Sequence, residues 1–481
     1  MTDTAVQSIA SRRAADTRFL LPFAPKTAVL LGTRSGDAAS WQACGIDVLA
    51  ADSGTPVDVV VTDSKSLPTA LQLDARALII HSKRRRGSVL VDADWRVERY
   101  LQMTGSDGPI IIATPTRDVL RYLAVEWSPP TTLVQTVARL GLRSVTATRS
   151  HNLTIATREA GSPQALAAGC AAAGLAQPDG FFMFFGSGND RQRPVAFAFP
   201  AAGRDPEWLV KWSRTDNEPE RGRHERHVRA AVARYPDLNE HVPRDLGRLT
   251  FAGSPASVET VAPGVSLDGL WQRGDVERAL AVGERVLKWL CDLAQASAAP
   301  GSDARAFVVE DADALGVDAT RLIDAIVDVP RVVAHNDLGT VNVLTDGSRF
   351  TVIDWEDGLI EGLPVVDVAY FVTTLLAMIH APSEPRERAR WCCALWRGEL
   401  PESQFAFRWL RRAADGLGLD GVQTGALVTM SWLQGAHSAG DREHLQTERT
   451  PHLGYYRGFV TQYWLDDDRL GLGWQFDATA S

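Results

Sequence analysis

The sequence of 481 residues predicts an α/β domain, then a β-rich lobe and then a helical lobe. Over roughly the first 150 residues, short apolar runs alternate with helical or loop segments, which is typical of parallel strands buried on both faces. From Phe181 onward the apolar runs are linked by turn residues, which indicates hairpins, and beyond Gly264 the pattern is mostly helical. The expected domains are 1–155, 156–264 and 265–481.

Composition narrows the class of protein. Lysine and arginine number 50 against 59 acidic residues, a net charge of −9, so broad attraction to nucleic-acid phosphates or anionic lipid is not expected. The longest apolar runs are too short for a membrane span, and the first residues lack a signal-peptide pattern, which predicts a cytoplasmic protein. The five cysteines are odd in number and show no CxxC spacing, which predicts free thiols.

The first domain contains a loop that resembles a nucleotide site. The segment LGTRSGD, from Leu31 to Asp37, follows an apolar strand and precedes a helical stretch, and Asp52 is predicted to end the next strand. This placement is similar to a Rossmann-type site for a nucleotide or S-adenosylmethionine, with Asp52 near ribose hydroxyls. The GxGxxG pattern is absent and Arg34 stands where a glycine is expected, which favours a degenerate or structural Rossmann-like domain. The basic run Lys83–Arg86 is expected to be a solvated face. The first 20 residues are expected to form a mobile arm or a frayed helix.

Two neighbouring segments carry the chemistry. They are HNDLGTVNVL, residues 335–344, and TVIDWE, residues 351–356. Asp337 and Asn342 bracket a short loop, and Asp354 ends a second apolar run across a glycine-containing turn, so a hairpin would bring all three together. One carboxylate and one amide oxygen suit Mg²⁺, which keeps room for water and phosphate oxygens. The other carboxylate could accept a proton from an attacking hydroxyl.

This pair of segments resembles the HxDxxxxN and IDxE-type signature of the aminoglycoside phosphotransferase and choline kinase-like family. The resemblance covers about residues 165–480 and implies a bilobal, protein-kinase-like α+β fold that uses ATP and Mg²⁺. It implies that Asp337 is the catalytic base and that Asn342 and Asp354 hold the metal. His335 would brace the loop.

The same resemblance requires a cation for the ATP phosphates and an acid to orient it. Lys211 lies in the apolar strand WLVKW, in a chain that contains only a few lysines, and matches the phosphate-binding lysine. Glu225 follows in a charged helix and would form the ion pair with this lysine. Glu218 and Glu220 are the alternatives, because the register of the helix is uncertain.

Two further segments are assigned by their positions. The turn containing Gly186, Ser187 and Gly188 lies between two strands, where backbone N–H groups could approach phosphates. It departs from the protein-kinase GxGxxG form. The segment from Glu259 to Val261 resembles the hinge between lobes, whose backbone groups would bind adenine.

The sequence therefore predicts a kinase that transfers the γ-phosphate of ATP to a hydroxyl of a small polar molecule, such as an aminoglycoside, sugar, amino alcohol or glycolipid head group. Asp367 is expected to buttress the catalytic loop. Two alternatives stay open: a pseudokinase that binds nucleotide as a scaffold, and a bifunctional enzyme whose first domain transfers methyl groups. Residues expected to line the acceptor pocket are Glu356, Asp357, Trp432, His437, Asp441 and Glu443.

Overall fold

The computed structural model describes residues 13–32, 38–82, 94–104, 110–125, 151–158, 165–185, 193–201, 203–213, 219–251, 254–301, 308–309, 311, 313 and 320–443. The chain folds into two compact units. The first unit comprises Met1–Gly222 and Arg244–Val261, and the second comprises Arg223–Pro243 and Ala262–Ser481.

The first unit contains a twelve-stranded sheet with the order β11-β12-β10-β9-β8-β6-β5-β7-β4-β3-β1-β2. The strands are β1 (Thr27–Leu30), β2 (Asp47–Val48), β3 (Val57–Asp63), β4 (Ala75–His81), β5 (Arg96–Thr104), β6 (Ile110–Ala113), β7 (Leu153–Thr157), β8 (Gly180–Phe184), β9 (Val195–Phe199), β10 (Trp208–Trp212), β11 (Asp245–Phe251) and β12 (Ser254–Thr260). Its described helices are α1 (Ala38–Gln42), α2 (Leu67–Ala70), α3 (Arg117–Val125) and α4 (Ala165–Ala172).

Strands β1 to β4 are parallel neighbours, as the continuous apolar runs predict. The valines of β3 are almost fully buried because the sheet is covered on both faces. Helices α1 and α2 are only five and four residues long, so the described connections lack full-length crossover helices, and a Rossmann-like domain is not established. The prediction that Asp52 ends a strand is wrong. Strand β2 ends at Val48, and Asp52 lies in an exposed turn.

The predicted boundary near residue 155 does not separate two compact units. Strand β6 pairs antiparallel with β8, with Ile112 opposite Met183, and thereby joins the strands of the α/β region to the hairpin strands that follow. Because this pairing makes one continuous sheet, residues on both sides of the expected boundary belong to the first unit.

The described part of the N-terminal segment, residues 13–20, packs into the core and is not a mobile arm. Residues 13–20 form a 3₁₀ helix that buries Phe19 against aromatic rings from the sheet region. The ring centroid of Phe19 lies 5.4 Å from that of Trp212 and 6.3 Å from those of Phe185 and Phe251. Aromatic clusters of this kind bury large apolar areas, so this segment is part of the core.

The second unit is mostly helical. Its helices are α5 (Pro219–Val232, whose first residues belong to the first unit), α6 (Pro236–Asn239), α7 (Leu267–Gln272), α8 (Val276–Ser297), α9 (Thr320–Ile326), α10 (Val366–His380), α11 (Pro385–Trp396), α12 (Ser403–Leu417) and α13 (Gly421–Glu443). Short strands β13 (Val265–Ser266), β15 (Val343–Thr345) and β16 (Phe350–Val352) form one sheet, and β14 (Val332–Ala334) pairs with β17 (Leu359–Gly362). Within the described residues, no helix is long and apolar enough to cross a membrane.

Candidate active site

The loop after β14 is held by one buried carboxylate. Strand β14 is wholly buried and leads directly into His335, which has no exposed surface. The backbone N–H of His335 donates to Asp367 Oδ2 at 2.6 Å, and that of Asn336 donates to Oδ1 at 2.8 Å. Asp367 lies in the first turn of α10 and is 9% exposed. The expectation that Asp367 buttresses this loop therefore agrees with its contacts.

The His335 side chain connects the two chemical segments. Its Nε2 lies 2.8 Å from the carbonyl oxygen of Ile353, which can only accept, so the proton is on Nε2. Its Nδ1 can then accept from the backbone N–H of Asp337, at a longer 3.4 Å. The ring also packs against Trp355, with centroids 4.7 Å apart. His335 thus has the geometry of a brace, as the family resemblance implies.

Asn342 makes a second connection between the segments. Its side-chain Nδ2 donates to the backbone carbonyl of Asp337 at 2.9 Å. The backbone carbonyl of Asn342 accepts from the backbone N–H of Ile353 at 2.9 Å. Asp354 follows Ile353 immediately, just after the end of β16. Asp337, Asn342 and the backbone before Asp354 are therefore held together by hydrogen bonds, as the hairpin spacing predicts.

Strained backbone marks the same region. Among the described residues, the non-glycine residues with positive φ are Asn336 (64°), Asp354 (66°) and Val365 (68°). Asn and Asp tolerate the left-handed conformation, whereas a β-branched valine there is a genuine outlier. Each lies within two residues of a residue in the network described above, and such strain clusters at functional sites.

Burial and neighbouring groups of the loop shift the pKa of the Asp367 carboxyl. Burial raises the pKa of the Asp367 carboxyl above its usual value, and the charge of Asp337 acts in the same direction. The His335 imidazole and the two backbone N–H donors lower that pKa, but the loss of solvation outweighs them. The Asp367 carboxyl, which holds the loop, therefore ionises less readily than an exposed aspartate.

The donor set fits a cation that takes few protein ligands. In the part of the chain that is described, no three histidine, cysteine or acidic side chains form a metal-binding cluster. Because Nδ2 of Asn342 is engaged with Asp337, its Oδ1 is the amide atom left for a cation. One amide oxygen and the Asp354 carboxylate suit Mg²⁺, which retains water and phosphate oxygens as its other ligands.

Lys211 lies in a different unit and has a partner that the sequence did not indicate. All five residues of β10 are buried, and Lys211 Nζ lies 2.9 Å from Glu259 Oε1 on the adjacent strand β12. From the sequence, Glu259 was expected to contribute only its backbone groups, to adenine. An acidic residue within an apolar strand was the available indication of such a partner. The sequence does not show which strand lies next to β10. Glu225 is buried in α5, in the second unit, and its predicted pairing with Lys211 stays a prediction.

Several other predicted residues are placed differently or lie outside the described chain. The N–H groups of Thr260 and Val261 donate to the carbonyls of Arg244 and Glu207, so these amides are not available to adenine as predicted. Trp432 is 2% exposed and packs in the helical core, so the expectation that it lines an acceptor pocket is wrong. Glu220 is exposed. Glu356 and Asp357 form part of a short 3₁₀ helix after Asp354. Other predicted residues or their side chains lie outside the described part of the chain: the residues Gly186, Ser187, Gly188 and Glu218, and the side chains of His437, Asp441 and Glu443.

Comparisons with known proteins show similarity only to solved structures. No protein-family model and no curated protein matches the chain. A glucosamine kinase structure is 18% identical and has a TM-score of 0.36, with 80% of this chain and 95% of that chain covered. An aminoglycoside phosphotransferase from Streptomyces rimosus, in complex with ADP and streptomycin, is 14% identical with a TM-score of 0.32. That similarity covers 51% of this chain and 94% of that chain. A Plasmodium vivax ethanolamine kinase is 10% identical with a TM-score of 0.30, and the similarity covers 58% of this chain and 80% of that chain.

Proposed function

We propose that this protein is an ATP- and Mg²⁺-dependent phosphotransferase whose acceptor is a hydroxyl of a small polar molecule. The observation that carries this proposal is the set of hydrogen bonds linking His335, Asn342 and Ile353 across the two chemical segments. Phosphoryl transfer needs little covalent chemistry from the protein and depends on fixed positions for a base and charged groups. A rigid loop that carries one carboxylate and adjoins a second meets that need.

In this proposal Asp337 orients the acceptor hydroxyl and accepts its proton. The hydroxyl oxygen bonds to the γ-phosphorus, the bond from that phosphorus to the bridging oxygen breaks, and ADP departs with the electron pair. His335 and Asp367 act on the loop backbone and keep Asp337 in place. Asn342 Oδ1 and the Asp354 carboxylate would hold Mg²⁺, which when bound neutralises phosphate charge. Lys211 adds a further positive charge for the phosphates.

The choice of acceptor is part of the proposal. We infer a small polar alcohol such as an aminoglycoside, sugar, amino alcohol or glycolipid head group. Glu356 and Asp357 support a polar acceptor, because they lie within three residues of Asp354 and are partly exposed. A screen of hydroxylated compounds with labelled ATP would identify the class, and the absence of transfer to every class would contradict the assignment.

The decisive experiment compares Asp337→Asn with Asp354→Asn. Both changes remove one negative charge, so a general electrostatic effect would make the two variants behave alike. If Asp354 holds the metal, Asp354→Asn weakens Mg²⁺-ATP binding by about tenfold or more, whereas Asp337→Asn spares that affinity and abolishes transfer.

Calorimetry with Mg²⁺-ATP and a steady-state transfer assay provide the two measurements. Asp346→Asn is a matched control, because Asp346 is an exposed aspartate in the turn between β15 and β16. Parent-like nucleotide binding in both variants, or continued phosphate transfer by both, would refute the assigned roles.

A further inference from the structure

The pairing of Lys211 with Glu259 is a buried contact inside the sheet. The Lys211 side chain is 10% exposed and that of Glu259 is 2% exposed, and their charged atoms lie 2.9 Å apart. Lys211 is flanked along its strand by Val210 and Trp212, both of which are almost fully buried. An ammonium group in such surroundings is destabilising unless a carboxylate compensates for the lost hydration.

The geometry of the sheet fixes both partners. Lys211 lies directly opposite Ser257 in the antiparallel pairing of β10 with β12, and Glu259 is two residues further along β12, on the same face. Strand β10 is also paired with β9, and β12 is also paired with β11. Because each strand is hydrogen-bonded on both sides, neither backbone can shift without breaking a ladder. The position of Nζ is thus determined by the sheet.

We propose that Glu259 is a positioning residue for Lys211, so that a carboxylate of the sheet helps to set the phosphate-binding ammonium in place. This inference rests on the proposed function. In protein kinases the corresponding lysine depends on a glutamate from a mobile helix, and movement of that helix controls activity. In this chain the adjacent strand supplies a carboxylate partner, so the lysine has a counter-charge within the sheet itself.

A purely structural role is the competing explanation, because a buried ion pair can be replaced by packed apolar residues without loss of stability. The test therefore uses Glu259→Gln, which keeps the shape and removes the charge. Ser257→Ala is the matched control, because Ser257 is buried on the same strand and face and its hydroxyl has no hydrogen-bond partner within the described chain. Glu259→Asp keeps the charge on a shorter side chain.

The first measurement is the affinity for Mg²⁺-ATP and the KM values for ATP and for the acceptor. We expect Glu259→Gln to lose about 10- to 100-fold in ATP affinity, because a charge-assisted contact is lost, while the acceptor KM stays within about twofold. Ser257→Ala should match the parent, and Glu259→Asp should recover part of the loss. Parent-like ATP affinity in folded Glu259→Gln would overturn the proposal.

The second measurement is a double-mutant cycle with Lys211→Met, Glu259→Gln and the combined variant, each followed by ATP binding and urea unfolding. Non-additive losses in ATP affinity support the proposal, whereas coupling in unfolding alone overturns it in favour of a structural pair. If Glu259→Gln does not fold, the ATP affinities of Glu259→Asp and Lys211→Met are measured instead. Weakened ATP binding in both variants supports the proposal, and parent-like binding overturns it. A parent that binds Mg²⁺-ATP but transfers no phosphate would refute the proposed function and leave the ATP-binding cycle to decide this inference.

Discussion

Asp58 in the first unit and Asp367 in the second make the same kind of contact. Each carboxylate accepts from two consecutive backbone N–H groups: Asp58 from Lys26 and Thr27, and Asp367 from His335 and Asn336. Asp58 fastens the start of β1 to β3, whereas Asp367 fastens the loop after β14 to α10.

The two carboxylates nevertheless differ in the direction of their pKa shifts. Partial burial raises the pKa of Asp58, but hydrogen bonds from Lys26, Arg76 and Thr27 outweigh it, so this pKa lies below its usual value. Asp367 is more deeply buried, and burial raises its pKa despite its two N–H donors. A pair of backbone donors therefore does not by itself decide whether a carboxylate favours its charged form. Solvent exposure and a guanidinium partner do.

The largest expected effect comes from Asp367→Asn. The amide keeps one acceptor oxygen but turns an NH₂ group towards a backbone N–H, which leaves a buried donor unsatisfied. We expect the free energy of unfolding to fall by about 2–4 kcal/mol at pH 7, and transfer activity to fall with it because the loop loses its clamp. Urea unfolding and kcat are the measurements. The control is Asp237→Asn, an exposed aspartate in the first turn of α6.

The loss of stability in Asp367→Asn is expected to depend on pH in the opposite direction to that in Asp58→Asn. Because the pKa of Asp367 is raised above 3.8 in the folded state, its contribution to stability is greatest below pH 3.8 and declines as pH rises through the folded pKa. The stability difference between the parent and Asp367→Asn should therefore shrink as pH rises through that window. A difference that grows with pH would contradict the assigned direction.

Asp58→Asn is expected to have the next largest effect, about 1–2 kcal/mol at pH 7. The pKa of Asp58 is lowered below 3.8 in the folded state, so its ionised form stabilises the fold above pH 3.8, and this stabilisation is lost as pH falls through the folded pKa. Unfolding at pH 7 and near pH 3 should show the difference from the parent shrinking in acid, opposite to Asp367. Equal differences at both pH values would refute this.

A smaller effect is expected at Asn336, which donates to Asp367 from a left-handed conformation with φ of 64°. Asn336→Gly should leave stability within about 0.5 kcal/mol, because glycine adopts this conformation without steric cost. Asn336→Ala should cost about 1 kcal/mol, because alanine has the same Cβ but lacks the short polar side chain that lets asparagine tolerate the left-handed conformation. Thermal unfolding of the pair measures the backbone contribution, and an alanine variant as stable as the glycine variant would show that the loop relaxes.

The smallest effect is expected for Arg76→Ala. Its guanidinium lies 2.8 Å from Asp58 and stacks over Phe23 at 4.0 Å, but the side chain is 49% exposed. Exposed pairs contribute little, so we expect a loss of roughly 0.3–1 kcal/mol together with a rise in the pKa of Asp58 towards its usual value. An NMR titration of Asp58 is the measurement, and an unchanged pKa would assign the shift to the backbone donors alone.

The sequence by itself determined the local elements and the core of the candidate site. Apolar, β-branched runs such as Val57–Val61 and Ala77–Ile80 form strands because their side chains suit a sheet buried on both faces. Asp337, Asn342 and Asp354 are close in the chain, so a short hairpin is enough to bring their segments together. Local spacing carries this kind of information, because few conformations can close so short a loop.

Only the tertiary structure decided the long-range pairings. The pairing of β6 with β8, the burial of Phe19 under the sheet and the contact of Lys211 with Glu259 join residues that are far apart in the chain. The sequence alone does not show which strand lies beside the strand that carries Lys211. That depends on strand order and register, which are set by packing of the whole sheet and not by any one segment.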